Sequence, residues 1–504
     1  MKSSVNTSVV INIVRTLTMT ILSFVTFPYV CRVLGDSALG AYSWAASFVY
    51  YFFILARISI PNIAVREVVK VKNDPIKLNK KVQELFIIQA VMTLISFGLM
   101  TLLVFVIPAF KENAGYSYNY TSLVFILSLN FLAGVLSFEW LFTAFEKHIF
   151  MSIRSIIIFM LADILIFLFI KNPSHVTLYA FFSVAGTILI VIINLIYLPK
   201  IFKFKRVGKL DFKQYFGLLG VLFVISILAA IYDKTDAFIL GIIDTSKASV
   251  GSYSVGVKGV EIVIGIMTAL SVVFIPRATY YYEKKDEKQY FNLNRYAVNI
   301  ALFITIPAIA TMAALATPIT SLISGNYEGG YKDANITLIA LCSLMLTYSI
   351  SYIIYTQILV PQKREKIYMY AIGGGAVLNI GFSLLFGLVI FKDNPSFGVA
   401  IGTSVTDLLV LVLMMAMTWK NSKKLIFNQN TLKIASFGLI IFAITYFLGP
   451  VFYNVLNASL NQEAAYLLEI IIVVFIDAIV YLIGLFIIKE KLLISTINRY
   501  RHRK

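Results

Sequence analysis

The stretch NIVRTLTMTILSFVTFPYVCRVLGDSALGAYSWAASFVYYFFILARISIPNIAVRE, residues 12–67, reads as two long apolar helices joined by Cys31-Arg32-Val33-Leu34-Gly35-Asp36. Each helix carries an arginine, Arg15 in the first and Arg57 in the second. A run of about 20 apolar residues rising 1.5 Å each crosses a hydrocarbon layer about 30 Å thick. An ionisable side chain inside such a run is costly to hold there, so it marks a pathway or a binding site by default.

The pattern continues along the chain. About fourteen apolar runs of spanning length can be read between Thr18 and Val474. The chain has 504 residues, 59% hydrophobic and 13% charged, with a mean hydropathy of +0.86. A soluble domain carries roughly 25% charged residues. These features define an all-α polytopic membrane protein of about 14 transmembrane helices.

The formal net charge of +18 would suggest a nucleic-acid partner for a soluble protein. In a membrane protein the same excess follows from the bias of Lys and Arg towards cytoplasmic loops. With the N-terminus inside, 33 of the 43 Lys and Arg fall in cytoplasmic segments, Lys147 and Arg154 among them. Six fall in outer loops: Arg32, Lys111, Lys171, Lys247, Lys332 and Lys392. Both termini are therefore expected in the cytoplasm, and the first span is read as retained, because no small-residue cleavage site follows it. The outer loops are short, the longest being residues 108–120 and 324–335, which leaves no room for a folded external domain.

Several chemistries lack their residues. No G-x-x-x-x-G-K-[ST] loop cradles nucleotide phosphates. Cys31 and Cys342 define neither a disulfide framework nor a metal motif, and His148, His175 and His502 are scattered. No nucleophilic triad is visible in the spans, so no cofactor, no metal and no enzymatic activity are expected.

A weak internal repeat is present. Gly40-Ala41-Tyr42-Ser43 recurs as Gly251-Ser252-Tyr253-Ser254, and Ile60-Pro61 recurs as Ile275-Pro276. The offset spans six helices, so two halves of parallel topology are implied, a common transporter plan. Chance similarity of four small residues is the competing explanation. Pro28 and Pro307 are candidate hinges inside spans.

The charged residues within the spans are the candidates for function. Arg15 and Lys258 lie about two turns deep, whereas Arg57 sits about one turn from the inner end and can instead extend to the interface. Asp233 and Asp236 share a helix face on the seventh span beside Lys234, and Lys258 and Glu261 share one on the eighth. Structural pairing, Asp236 or Glu261 with Lys258, competes there with a proton or sodium site. Glu139 lies on the fourth span. For Asp163, Asp407 and Asp477 helix-to-helix hydrogen bonding is expected. If the halves pack face to face, Arg15, Arg57, Lys234 and Lys258 form a cationic cavity suited to phosphate or pyrophosphate.

Phe27-Pro28-Tyr29 through Arg32-Val33-Leu34-Gly35-Asp36, then Gly40-Ala41-Tyr42-Ser43, Ile60-Pro61-Asn62 and Val65-Arg66-Glu67, resembles the opening of the O-antigen and capsule type of polysaccharide flippase. That family belongs to the multidrug/oligosaccharidyl-lipid/polysaccharide exporter superfamily. Glu139-Trp140-Leu141-Phe142-Thr143-Ala144-Phe145-Glu146 is similar to its Trp-x-x-x-Gly-x-Glu stretch, with Ala144 where glycine is common. Asp233-Lys234-Thr235-Asp236 and Val272-Val273-Phe274-Ile275-Pro276-Arg277 match its seventh and eighth spans.

The resemblance implies two pseudo-symmetric six-helix bundles, residues 1–205 and 206–425, followed by two C-terminal helices and a basic tail, 426–504. It implies alternating access that moves an undecaprenyl-pyrophosphate-linked oligosaccharide across the cytoplasmic membrane, in company with polysaccharide assembly proteins. By position, Arg15, Arg57 and Lys258 would line the cavity, with Lys234 as a further cation. Glu139, Asp233 and Asp236 fall at polar positions of the family, and with Glu261 they are candidates for ion coupling or gating. A cation-coupled drug exporter of the same superfamily and a membrane-embedded glycosyltransferase or polymerase are the alternatives.

Overall fold

Gly35 decides the shape of the first hairpin. In the computed structural model, which describes residues 5–110, 119–325, 330–426 and 429–487, helix α1 (Val5–Arg57) is interrupted only at Gly35, where φ is 75° and ψ is 174°. A side chain with a Cβ is strained in that region of backbone space, so glycine supplies the corner between two spans. Asp36 follows, and its carboxylate accepts the Ser37 backbone N–H at 2.6 Å. The helix runs through Pro28 without leaving helical dihedrals. Pro307 likewise lies inside a helix, α11. A sharp corner therefore sits at the glycine.

Among the described residues there is no strand, and twelve helices are long and apolar enough to cross a membrane. The kinked Thr18–Arg57 segment holds two of the expected spans, and Lys213–Ile243 stands where the seventh is expected. The expectation of about fourteen spans is met in this sense. The loops at 108–120 and 324–335 and the basic tail from Lys489 lie partly or wholly outside the described residues.

The chain divides into two units, Met1–Gly251 and Ser252–Lys504. The first contains α1, α2 (Ile60–Val71), α3 (Pro75–Val106), α4 (Tyr120–Ser128), α5 (Asn130–Leu136), α6 (Glu139–Ala144), α7 (His148–Phe169), α8 (Val176–Tyr197), α9 (Lys213–Ile243) and the start of α10 (Ala248–Glu283). The fourth span is thus three short helices, broken at Leu129 and again before Glu139, where Phe138 takes a left-handed φ of 48°. Backbone freed by such breaks needs partners in an apolar medium. The Gln89 side-chain amide supplies one, donating to the Gly134 carbonyl at 2.6 Å.

Helix α9 packs along the second half of α1. The Trp44 indole donates to the Phe238 carbonyl at 3.2 Å, and Ser59 Oγ donates to the Leu222 carbonyl at 3.1 Å. Lys247, expected in an outer loop, is buried: its ammonium lies 4.3 Å from the centre of the Trp44 ring and 5.2 Å from that of Tyr120. An aromatic face attracts a desolvated cation, which is why this lysine tolerates burial. At the other end of the unit, Glu84 is fully buried and accepts the Asp211 backbone N–H at 2.7 Å and the Tyr215 hydroxyl at 2.7 Å. That carboxylate fastens the connecting segment after α8 onto α3.

The repeated glycines meet. A Cβ on Gly40 would overlap the Lys247 carbonyl oxygen, and a Cβ on Gly251 would overlap the Asp36 carbonyl oxygen. Each glycine of the repeat therefore receives the chain four residues before the other, a reciprocal contact made of backbone.

The second unit contains the remainder of α10, then α11 (Glu287–Ala314), α12 (Ala316–Ser324), α13 (Ala334–Ile353), α14 (Glu365–Leu384), α15 (Pro395–Met417), α16 (Trp419–Ile426), α17 (Gln429–Asn457) and α18 (Gln462–Ile487). Helices α13 and α14 each pass into a π-helical turn, at Ile354–Leu359 and Leu385–Ile390. Gly398 and Gly402 bring α15 against the backbone of Phe382 and Phe386, the small-xxx-small packing of membrane helices. Asp477 accepts from Thr311 and Thr445, both at 2.6 Å, tying α18 to α11 and α17. Asp407 accepts from Thr347 at 3.3 Å. These are the expected helix-to-helix hydrogen bonds.

Gly40→Ala should lower stability by about 1–3 kcal/mol, because the added methyl group has only backbone to displace. Gly98, with nothing near its absent Cβ, is the control. Thermal unfolding of the two purified variants in one detergent checks this, and equal midpoints would count against the close-approach reading.

Candidate functional site

Three breaks in helical geometry surround one cavity in the first unit. Helix α1 ends at Arg57, and Ile58 and Ser59 turn left-handed at φ 38° and 56° before α2 begins with Pro61 near its start. Proline suits the first turn of a helix, where its missing N–H costs nothing. This corner leaves Arg57 as the last residue of its span. The broken fourth span contributes Asn130, Gly134, Ser137, Glu139 and Trp140 to the opposite wall. Gly134 faces Arg57 and Phe53 without a side chain of its own.

The cavity measures about 460 Å³ and is lined by Arg15 and Thr16 from the first span, Phe53 and Arg57 from the second, and Ser155 and Thr187 from α7 and α8. Arg15 and Arg57, chosen from sequence as charges within consecutive spans, therefore face the same space. Arg57 lies over the Phe53 ring at 5.3 Å and borders the cavity. Among the described residues neither arginine forms an ion pair.

Glu139 lines the same cavity, and its partner was not anticipated. Arg154, expected in a cytoplasmic loop, lies in the second turn of α7 with its side chain 3% exposed. One guanidinium nitrogen donates to Glu139 Oε1 at 2.8 Å and reaches Ser155 Oγ at 3.3 Å. The other donates to Asn194 Oδ1 of α8, whose own amide donates to the Ser137 carbonyl at 2.6 Å. Four elements thus hold one carboxylate at the cavity wall, with its side chain 45% exposed. A signal existed in the sequence: Glu139 and Arg154 lie six and seven residues either side of the turn at 145–147.

The other sequence-derived residues lie elsewhere. Lys234 on α9 pairs with its neighbour Asp233 at 3.0 Å and lies 5.6 Å from the Tyr50 ring centre, while Asp236 is buried. Lys258, in the second unit, pairs with Glu261 at 2.8 Å within one turn of α10. The structural alternative for that pair is the observed geometry. Among the described residues no group of His, Cys, Asp and Glu could hold a metal ion.

The ion pair at the cavity wall is asymmetric. Glu139→Ala strands a buried guanidinium and should cost roughly 3 kcal/mol, near the low end for a broken buried pair because Asn194 and Ser155 still accept from it. Arg154→Leu leaves a carboxylate that water can reach and should cost less. Thermal unfolding of both variants tests the order, and the reverse order would contradict this geometry.

Comparisons with known proteins agree with this architecture. Over 418 residues, covering 81% of this chain and 94% of the relative, the chain is 21% identical to a putative O-antigen transporter of Escherichia coli (strain K12). Its fold is similar to that of the lipid II flippase MurJ in an inward closed conformation, with a TM-score of 0.74 at 19% identity over 95% of this chain and 99% of that one. An inward-facing multidrug resistance MATE family transporter of the MOP superfamily is more distant, with a TM-score of 0.56 at 13% identity over 80% and 96%. Residues 222–385 match the family described as MatE. Residues 5–281 match the family described as Polysaccharide biosynthesis protein, more than half of the chain, and the protein belongs to that family.

Proposed function

We propose that the chain is a flippase that carries a polyprenyl-pyrophosphate-linked oligosaccharide repeat unit across the cytoplasmic membrane by alternating access, for surface polysaccharide assembly. The observation that carries this reading is the convergence of Arg15 and Arg57 on one cavity in a member of a polysaccharide biosynthesis family. A guanidinium binds phosphate oxygens through two parallel hydrogen bonds and keeps its charge in an apolar setting. A pyrophosphate diester offers two negative charges to two such groups. A volume of about 460 Å³ falls within the range of small-ligand sites and suits a headgroup with an adjoining sugar.

Orientation strengthens the reading. With both termini in the cytoplasm, Arg57 and Glu139 lie towards the inner ends of their spans, the side on which a lipid-linked unit is loaded. In this proposal Lys234 and Lys258 are further cations, and Asp233, Asp236 and Glu261 are candidates for ion coupling. The same proposal takes residues 1–205 and 206–425 as two six-helix bundles, with 426–504 as an addition. A cation-coupled drug exporter is the second reading, favoured by the match of residues 222–385 to the MatE family. The basic cavity opposes it, since an exporter of cations favours carboxylates.

Arg15→Ala and Arg57→Ala should each reduce surface polysaccharide export at least tenfold at matched protein level, the loss expected for one charged hydrogen-bonded contact of about 1.5–3 kcal/mol. Full export by both variants would remove the phosphate site. Unchanged surface glycan with increased drug sensitivity in a deletion strain would favour the exporter.

A further inference from the structure

The segment between α8 and α9 is held in place without being helical, and its cations are unanswered. Residues 202–212 form neither helix nor strand, yet their backbone is gripped by side chains of α3. Asn79 and Gln83, one turn apart, take the two sides of a single residue: Asn79 Oδ1 accepts the Lys205 N–H at 2.7 Å, and the Gln83 amide donates to the Lys205 carbonyl at 2.6 Å. Further along, Glu84 accepts the Asp211 N–H at 2.7 Å, and at the start Phe202 is buried. The strap fixed in this way leaves the side chains of Lys203, Lys205, Arg206 and Lys209 exposed.

Charge pairing separates the strap from the helices beside it. On α2 and α3, Lys70 and Lys81 pair with Glu67 at 2.6 and 3.5 Å, and Lys77 pairs with Asp74 at 3.3 Å. Among the described residues, none of the four strap cations meets a carboxylate, a carbonyl or an aromatic ring. Like charges this close repel one another and draw anions to them.

The surroundings indicate which anion. Irregular backbone open to its surroundings is not tolerated within the hydrocarbon layer, so a strap that joins two spans lies at headgroup depth. One turn along α3 from Gln83, Ile87 is exposed, and Leu94 on the same face is 72% exposed. Apolar side chains left open on a spanning helix face acyl chains. The strap is thus fixed at the foot of a lipid-facing stripe. Phe204, set among the cations, packs one edge towards Phe86 and Phe138, with ring centres 6.4 and 5.9 Å away, and is 50% exposed. Cations flanking an open apolar ring are the composition of a segment that lies in the membrane interface. A soluble acidic protein would meet the cations and leave the ring and the stripe uncovered.

We propose that residues 203–209 form a binding surface for anionic phospholipid headgroups, with Phe204 seated at the boundary between headgroups and acyl chains. On the orientation proposed above, these lipids belong to the cytoplasmic leaflet, whose negative surface attracts juxtamembrane cations. The grip of Asn79, Gln83 and Glu84 orders the strap before any lipid arrives, which lowers the entropy lost on binding. Such binding does not depend on what the cavity carries.

The test uses the full chain in a neutral detergent, with retained phosphatidylglycerol and phosphatidylcholine counted by native mass spectrometry. The native protein should hold phosphatidylglycerol at least tenfold more tightly, and inorganic phosphate at the same concentration should not compete. Lys203→Gln, Lys205→Gln and Arg206→Gln together should lower phosphatidylglycerol affinity at least tenfold, since one cation near an anionic surface contributes a factor of about five. The same triple variant should keep the native melting temperature in phosphatidylcholine, because its cations have no partner to lose. Lys284→Gln, Lys285→Gln and Lys288→Gln together remove equal charge from the exposed junction of α10 and α11 and should leave the preference intact. An equal loss in both triple variants would reduce the effect to overall charge and overturn the site. Competition by inorganic phosphate, or a lowered melting temperature of the strap variant in phosphatidylcholine, would overturn it as well. Equal retention of the two lipids by the native protein would exclude lipid as the occupant, and loss of polysaccharide export by the strap variant in that case would assign the surface to an acidic protein segment.

Discussion

A guanidinium stays charged inside a bundle of apolar helices, so each one must be met by an acceptor, by water or by an anion. The first unit follows this constraint in two ways. The two terminal nitrogens of Arg154 are met by Glu139, Asn194 and Ser155, and its side chain is nearly fully buried. Arg15 and Arg57 face open space instead. The break before Glu139 serves the same requirement, because a straight helix would bring Asn130 and Ser137 to one side and turn Glu139 to the other. Polar side chains such as Gln89 then satisfy the backbone that such breaks release.

The cavity therefore combines two kinds of electrostatics in a small volume. Under the proposed function the cations attract the charged linkage, beside a carboxylate that is already held by Arg154.

Much of the architecture was legible in the sequence, since hydropathy registers each span and Gly35 sits at the corner between the first two. Arg15, Arg57 and Glu139 were legible because a charge within an apolar run stands out. The burial of Arg154 and Lys247 was not, because both lie near the ends of apolar runs, Lys247 in the connection between α9 and α10. Arg154 is buried by Asn194, forty residues away, and Lys247 by Trp44 and Tyr120. Such burial is a property of tertiary neighbours and leaves no local period.

The crossing of Gly40 and Gly251 is built from peptide groups, so its spacing is independent of the side chains around it. Frame and lining are thereby separated. Residues that line the cavity can be exchanged, enlarged or trimmed without altering the separation at this crossing. In the proposed flippase, a different glycan can then be accommodated by editing the cavity wall alone, with the two glycines acting as a fixed gauge.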